Sequence, residues 1–394
     1  YGRARAPFIR LGFGLSRNVH GGQAVRAVAL LPGVTGAYGR PGSGAVLATS
    51  DGFGLNFDNI RRPSGRAETR MVNHSRLGEA LLDLKDPPIR ALFVASNNPA
   101  VTCPDALAVR RGLSRDDLFT VVHAPFRSDT ARYADLVLPA ATAFESEDFY
   151  RAYGAYYMQF GPQVIEPLGK AWSNRRLAQE LARRLDLCDP IFSMATDELV
   201  RELFRGAGGT AAAIDPDSVR TAGPIKVTPN PDGQRFATPS GRLEFYSASL
   251  AAEGLPALPG WSEDDLEETD QRRWPLRLLT APGYFQSHTV FSGNGALRGR
   301  QGPPICVLNP SDARQRGLAD GDRVELRNDG GSFGVRLKVS DEVRAGVVLV
   351  PGQRPSDEAE QGTVNMLCSG RYSDLGEGAT YQSTFLDVRA AEGG

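Results

Sequence analysis

Residues 89–98 read IRALFVASNN, an apolar run that ends on two asparagines. A strand with one wet face alternates polar and apolar residues; a run without alternation suits a strand covered on both faces of a parallel sheet. The turn NNPAVTCPD (97–105) and a helical stretch, DALAVRRGL (105–113), come next. Two more apolar runs follow, LFTVV (118–122) and ADLVLPA (134–140). Apolar runs separated by helices predict a parallel sheet with crossovers. The helix SNRRLAQELARRLDL (173–187) closes the block, with Leu177, Leu181 and Leu185 four apart and Ser173 placed to cap it. Residues 89–190 therefore predict a Rossmann-like parallel α/β layer.

On the N-terminal side, residues 1–88 hold one helix candidate, GGQAVRAVALLPGVTG (21–36). Val25, Val28 and Ala29 share a face of it and Gly33 is its stop. Residues 191–274 are an irregular connector: a helix at DELVRELF, a turn leading into a strand at ATPSGRLEFYS (237–247), and an acidic linker, SEDDLEETD (262–270). From residue 275 the pattern is all-β. LRLLT, PICVLNP, DRVELRND, GSFGVRLKVSD, GVVLVP and TFLDVRA are short strands between DG, GG and AG turns, with one helix, SDARQRG, after the second. Residues 275–394 predict a compact β-barrel. Within them GTVNMLCSGRYSDLGEGA (362–379) is either a plain connector or one wall of a ligand site, since Asn365 and Asp374 are able to hydrogen-bond a heterocycle.

With 41% hydrophobic and 23% charged residues and a net charge of −1, the chain has ordinary globular composition. No global charge draws it to nucleic acid or to a membrane surface. No run of about 18 apolar residues predicts a membrane-spanning helix. Cys103, Cys188, Cys306 and Cys368 are scattered without a CxxC pair, which argues against an iron–sulfur or zinc site in this chain and for a reducing, cytoplasmic compartment. GFGLSR and GSGAVL start as GxG but lack a third glycine, and Walker A, HExxH and GxSxG sequences are absent. His20, His74, His123 and His288 are isolated and read as structural. Glu145, Glu147 and Asp148 in ATAFESEDFY read as a solvated loop. The residues thus give an α/β layer and a barrel with ligand-type loops, and neither catalytic nor metal-ligating residues of the chain's own.

Several segments, in this order, resemble the molybdopterin-dependent oxidoreductases of the dimethyl sulfoxide reductase superfamily. RLGFGLSRNVHGGQAVRAVALLPGVTGAYGRPGSG (10–44) is similar to the end of that family's third domain. LFVASNNPAVTCPD (92–105) resembles its Asn-Pro loop, and VVHAPFRSDTARYADLVLPAATAFESED (121–148) its strand end leading to an acidic loop. TAPGYFQSHT (280–289), residues 309–352 and VNMLCSG (364–370) resemble its dinucleotide-binding barrel. The resemblance implies a double-psi barrel and a molybdenum or tungsten ion held by two molybdopterin guanine dinucleotides, performing two-electron chemistry. It implies cofactor contacts at Asn97, Asn98, His123, Ala124 and Asn174. In the barrel it implies them at Thr280, Ala281, Pro282, Gly283, Tyr284, His288 and Thr289, and at Asn365 and Gln382, with Asp374 holding the loop's shape. Leu11, Gly12, Gly14 and Leu15 match a loop that lines the metal pocket, where relatives often carry a polar residue near Leu15.

Family members begin with a region that holds a [4Fe–4S] cluster in some, then the residue that ligates the metal. Neither is in this sequence, so the resemblance implies the C-terminal portion of a larger enzyme, inactive alone. Its partners are then the missing N-terminal part and an electron-transfer subunit. The alternative is a complex I-like scaffold subunit without molybdenum.

Overall fold

Every second residue of the C-terminal strands is apolar, and in the computed structural model those residues fill a closed six-stranded barrel. Val324 and Leu326, Phe333, Val335 and Leu337, Val348 and Val350, and Leu386 and Val388 all lie in its core. This is the two-residue period of a pleated strand. Around the barrel the strands run Ile305–Leu308, Gly331–Val339, Arg323–Asn328, Phe385–Ala390, Leu276–Ala281 and Val347–Pro351. The first two pair in parallel, as do the last two. Val307 opposite Leu349 closes the ring antiparallel. Helix Pro310–Gln315 lies where SDARQRG predicts one.

The structure describes residues 1–61, 69–228, 236–260, 270–357 and 362–391. Apart from Asp270, the acidic linker lies outside them. The chain divides into two compact units. The barrel belongs with Phe13–Val25, Met71–Leu138 and Gly260–Gly394; the other unit comprises Tyr1–Gly12, Arg26–Arg70 and Pro139–Pro259.

In the barrel's unit, Ala91–Ala95, Phe119–Ala124 and Leu136–Pro139 form a three-stranded sheet. The first two strands are parallel, with Ala95 opposite His123. Leu81 of helix Leu77–Asp83 and Val109 and Leu113 of helix Ala106–Leu113 form a core with Cys103, against which Leu92 packs. That covers one side. Phe93 and Phe119 remain 45% and 53% exposed, and Leu136 and Val137 are exposed as well. The apolar runs predict cover on both faces; among the described residues one helical layer covers this sheet.

The other unit is built on helix Thr196–Phe204, whose Val200, Leu203 and Phe204 pack with Phe53 and Met158. Strands Asp148–Arg151, Tyr157–Gly161 and Ile225–Lys226 pair antiparallel beside it. Ser173 caps helix Asn174–Arg184 by accepting from the Arg176 N–H at 3.2 Å. Of the expected leucine stripe only Leu177 is buried, with Leu181 38% and Leu185 66% exposed, because the face that packs runs from Leu177 to Ala182. Residues 237–247 form no strand. Thr238 Oγ1 donates to the Arg242 carbonyl and Gly241 N–H to that of Thr238, so local turn bonds replace a ladder. Helix Gly21–Val34 runs past the expected stop at Gly33, and Gly36 takes the left-handed conformation beyond it at φ 61°. Among the described residues no helix is long and apolar enough to cross a membrane.

Candidate functional site

The parallel strands of the barrel's unit deliver their carboxyl ends to two loops. Ser96 turns off the first strand with φ 54°. Asn97 Oδ1 then accepts from Asn98 N–H at 2.7 Å and from Thr102 Oγ1 at 3.2 Å. Asn98 is buried, and its Oδ1 accepts from both the N–H (3.1 Å) and the hydroxyl (2.7 Å) of Thr130, so the two loops are tied together. His123, 1% exposed, and the half-buried Ala124 end the second strand. Past them, the buried Asp129 accepts from Ser356 N–H at 3.0 Å and from its hydroxyl, linking this end of the sheet to a barrel loop.

Residues 280–289 leave the barrel strand Leu276–Ala281. Gln382 pins the start: its Oε1 accepts from Thr280 N–H (3.3 Å) and its Nε2 donates to the Thr280 carbonyl (3.0 Å). The Ala281 carbonyl accepts from Gly352 N–H at 2.7 Å. Pro282 is exposed, Gly283 buried, and Tyr284 stands 91% exposed. His288 takes φ 54°, a conformation rare outside glycine, with Nδ1 3.3 Å from Gln353 Oε1; Thr289 is half-buried. Between them lies Gln286, 4% exposed, whose Oε1 and Nε2 meet no hydrogen-bonding partner among the described residues.

The glycine-rich stretch 362–379 is a clamp. Asn365 is 1% exposed, and its Nδ2 donates to the carbonyls of Val101 (2.8 Å) and Thr102 (3.0 Å). Tyr381 O–H donates to the same Thr102 carbonyl at 2.9 Å. Asp374 accepts from Gly22 N–H (2.7 Å) and Gln23 N–H (3.0 Å), capping helix Gly21–Val34 from across the unit. Glycine is required at position 22, because a Cβ there would sit 2.7 Å from that carboxylate oxygen and 2.6 Å from Leu375 Cβ. Asp374→Ala is expected to lower the unit's stability by about 1 kcal/mol, as loss of a helix N-cap does, read as a shift in urea midpoint at unchanged slope.

Gly14 and the half-buried Leu15 are in this unit too, where Asn18 Nδ2 donates to both their carbonyls. Leu11 is buried in the other unit, its N–H on the Val46 carbonyl, and Gly12 is exposed there. Asn174 opens a helix of that other unit and is exposed. One compact unit therefore gathers the implied contacts apart from Leu11, Gly12 and Asn174.

Residues 3–184 match the family model for molybdopterin oxidoreductases, and residues 276–385 that for the molydopterin dinucleotide binding domain. The chain belongs to the molybdopterin oxidoreductase family. It is 36% identical over 395 residues to the probable oxidoreductase YoaE of Bacillus subtilis, covering 98% of this chain and 57% of that protein. It is 27% identical over 435 residues to the dimethyl sulfoxide/trimethylamine N-oxide reductase of Rhodobacter capsulatus, covering 94% and 52%. In fold it is similar to acetylene hydratase from Pelobacter acetylenicus, with a TM-score of 0.68 at 21% identity, over 82% of this chain and 47% of that one. The chain spans about half the length of the curated relatives it matches.

Set against the family's cofactor, the donor set of this unit fits. A buried amide without a partner, Gln286, offers one donor and one acceptor edge to a flat heterocycle. Gln23, 6% exposed in the first turn of helix Gly21–Val34, is a second such amide. Sequence reading passed over both, although Gln286 is the one amide side chain in TAPGYFQSHT and GGQAV places Gln23 beside two glycines. The amide N–H groups of Asn365 are committed to two backbone carbonyls, so the edge it has left for a ligand is the acceptor Oδ1. Gln382 likewise grips Thr280. His74 is not isolated: its Nε2 lies 3.1 Å from Cys103 Sγ. Burial pushes the Cys103, Cys306 and Cys368 thiols up to about 12, so they are protonated at neutral pH.

A cavity of about 580 Å³ also opens in this unit, lined in part by Asp105, Arg111, Asp329 and Arg371. Several of its polar groups are already engaged: Asp105 caps a helix, Asn328 holds the carbonyls of Leu367 and Phe385, and Arg371 pairs with Asp270. It carries none of the unpartnered amides.

Proposed function

We propose that this chain is the dinucleotide-holding part of an oxidoreductase that carries molybdenum or tungsten on two molybdopterin guanine dinucleotides and acts on a small substrate. One observation carries the reading: the carboxyl ends of a parallel sheet and the segment 280–289 belong to one unit, and that segment holds a buried amide with no partner. Ligands of open α/β sheets bind outside the carboxyl ends of the strands. When bound, the metal cofactor supplies a centre that gains or loses two electrons.

The chain's own residues bind and orient. The loop at Asn97 and Asn98 and the strand end at His123 and Ala124 meet phosphate or ribose oxygens. Gln286 reads an edge of guanine or pterin. Tyr284, His288 and Thr289 run along the cofactor, while Asn365 and Gln382 hold the loops in register. Asn174, Leu11, Gly12, Gly14 and Leu15 complete the set, and the barrel is of the double-psi kind. Among the described residues no three His, Cys, Asp or Glu side chains group to hold a metal ion. The part this reading assigns to the chain is to grip the organic cofactor, with a [4Fe–4S] cluster and the protein ligand to the metal elsewhere in the protein.

The first partner in this reading is the remainder of the same protein, seated on the apolar sheet face of Phe93 and Phe119; an electron-transfer subunit is the second. Four unpaired cysteines suit a reducing, cytoplasmic compartment.

The test is chemical. Oxidising the denatured, purified protein with iodine should release a fluorescent pterin, and hydrolysis should release GMP in equal amount. The native chain should also bind GDP. Failure of both sinks the reading, and pterin without GMP sinks the guanine form.

A further inference from the structure

His74 opens the short 3₁₀ turn His74–Arg76, held by Asn73, whose Oδ1 accepts from Ser75 N–H at 2.9 Å. Its Nε2 lies 3.1 Å from Cys103 Sγ and 3.3 Å from Asn97 Nδ2. The orientation of the Asn97 amide follows from its other contacts. Its Oδ1 takes the N–H of Asn98 at 2.7 Å, which only an oxygen can accept, so the amide nitrogen is the atom facing the ring. Both groups aimed at Nε2 are then donors, an N–H and an S–H. Nε2 must be the bare, accepting nitrogen, and the proton of the neutral ring sits on Nδ1.

We propose that His74 is a positioning residue: as the neutral Nδ1–H tautomer it fixes the Asn97 amide, and through it the loop from Asn97 to Thr102. The functional weight of this proposal rests on the assignment of that loop to the dinucleotide; its geometry does not.

The surroundings favour the neutral ring. Desolvation first, and the Arg17 guanidinium second, hold the His74 pKa below the ordinary 6.5. Arg17 acts from the segment before helix Gly21–Val34, and Cys103 from the loop itself. The thiol is pushed up to about 12 and remains a protonated donor. Burial also pushes the Tyr381 hydroxyl up, so it stays neutral. Protonating Nε2 would turn the acceptor into a third donor and release the amide. Because the folded value is the lowered one, the fixed loop is fully present above the unfolded value of 6.5 and is lost as pH falls through the folded value.

Nitrogen NMR of the histidine-labelled chain tests this directly. Expected is a bare Nε2 and protonated Nδ1 near neutral pH, titrating below 6.5. The Asn97 side-chain amide signals should shift with the same midpoint. In His74→Gln, whose Oε1 reproduces the acceptor, those signals should keep their position and lose the pH dependence. In His74→Leu they should move to solvent-exposed values. An Nε2–H tautomer, an ordinary midpoint, or Asn97 signals indifferent to His74→Leu would overturn the proposal. GDP titration is a separate arm: about tenfold weaker binding is expected for His74→Leu, and native-like binding for His74→Gln. If GDP binds none of the three proteins, the cofactor reading of the loop fails while the NMR result still decides the role of His74.

Discussion

Replacing Asn365 by leucine is expected to lower the stability of the barrel's unit by about 1–3 kcal/mol, since the buried Val101 carbonyl loses its donor and the half-buried Thr102 carbonyl loses one of two. The Thr102 carbonyl would retain Tyr381, and that of Val101 would lose the donor described here. Leucine keeps the branched skeleton and is the bulkier side chain, so the loss comes from hydrogen bonding and crowding rather than from a cavity. Asn365→Asp should be worse, because a carboxylate oxygen would then face carbonyl oxygens at 2.8 and 3.0 Å. Urea denaturation reads the effect as a lower midpoint. The same variants separate two roles for Asn365. A residue that touches the cofactor loses affinity with little change in stability; a clamp loses stability first, and affinity only as the loop at Asn97 and Asn98 loosens. A stable Asn365→Leu protein that fails to bind GDP would establish the direct contact.

Gln286→Leu should show the opposite pairing. Burying an amide without a partner costs about 1–3 kcal/mol, so the ligand-free chain should gain stability of that order when the amide is removed. Binding should suffer, because the lost donor and acceptor are those assigned to the heterocycle. A drop of about 10–100-fold in GDP or pterin affinity corresponds to one or two hydrogen bonds. Thermal unfolding without ligand and calorimetric titration with GDP give the two readings. A variant that is destabilised and binds normally would show that Gln286 supports the barrel and nothing else.

These two expectations show where the sequence is legible. Barrel strands could be bounded closely, because period-two alternation at Val324 and Leu326, or Phe333, Val335 and Leu337, has one solution once a face must be dry. The Asn-Pro turn and the helix cap at Ser173 were equally local. Burial of the leucine stripe at Leu181 and Leu185 was not, since a helix periodicity names a face without saying what covers it. His74 looked isolated because its partners are Cys103, about thirty positions away, and Asn97 on the far side of a strand. No spacing rule connects them.

The stretch 362–379 divides along the same line. Its glycines, its small side chains and the presence of Asn365 and Asp374 follow from the sequence, and with them the likeness to a dinucleotide barrel. What those two side chains hold was decided by the tertiary structure alone. Asn365 reaches back more than 260 positions to the carbonyls of Val101 and Thr102, and Asp374 more than 350 to the N-terminus of a helix. A hydrogen-bonding side chain carries its capacity in its chemistry, but which partner it takes depends on which backbone groups the fold leaves unpaired and brings within 3 Å.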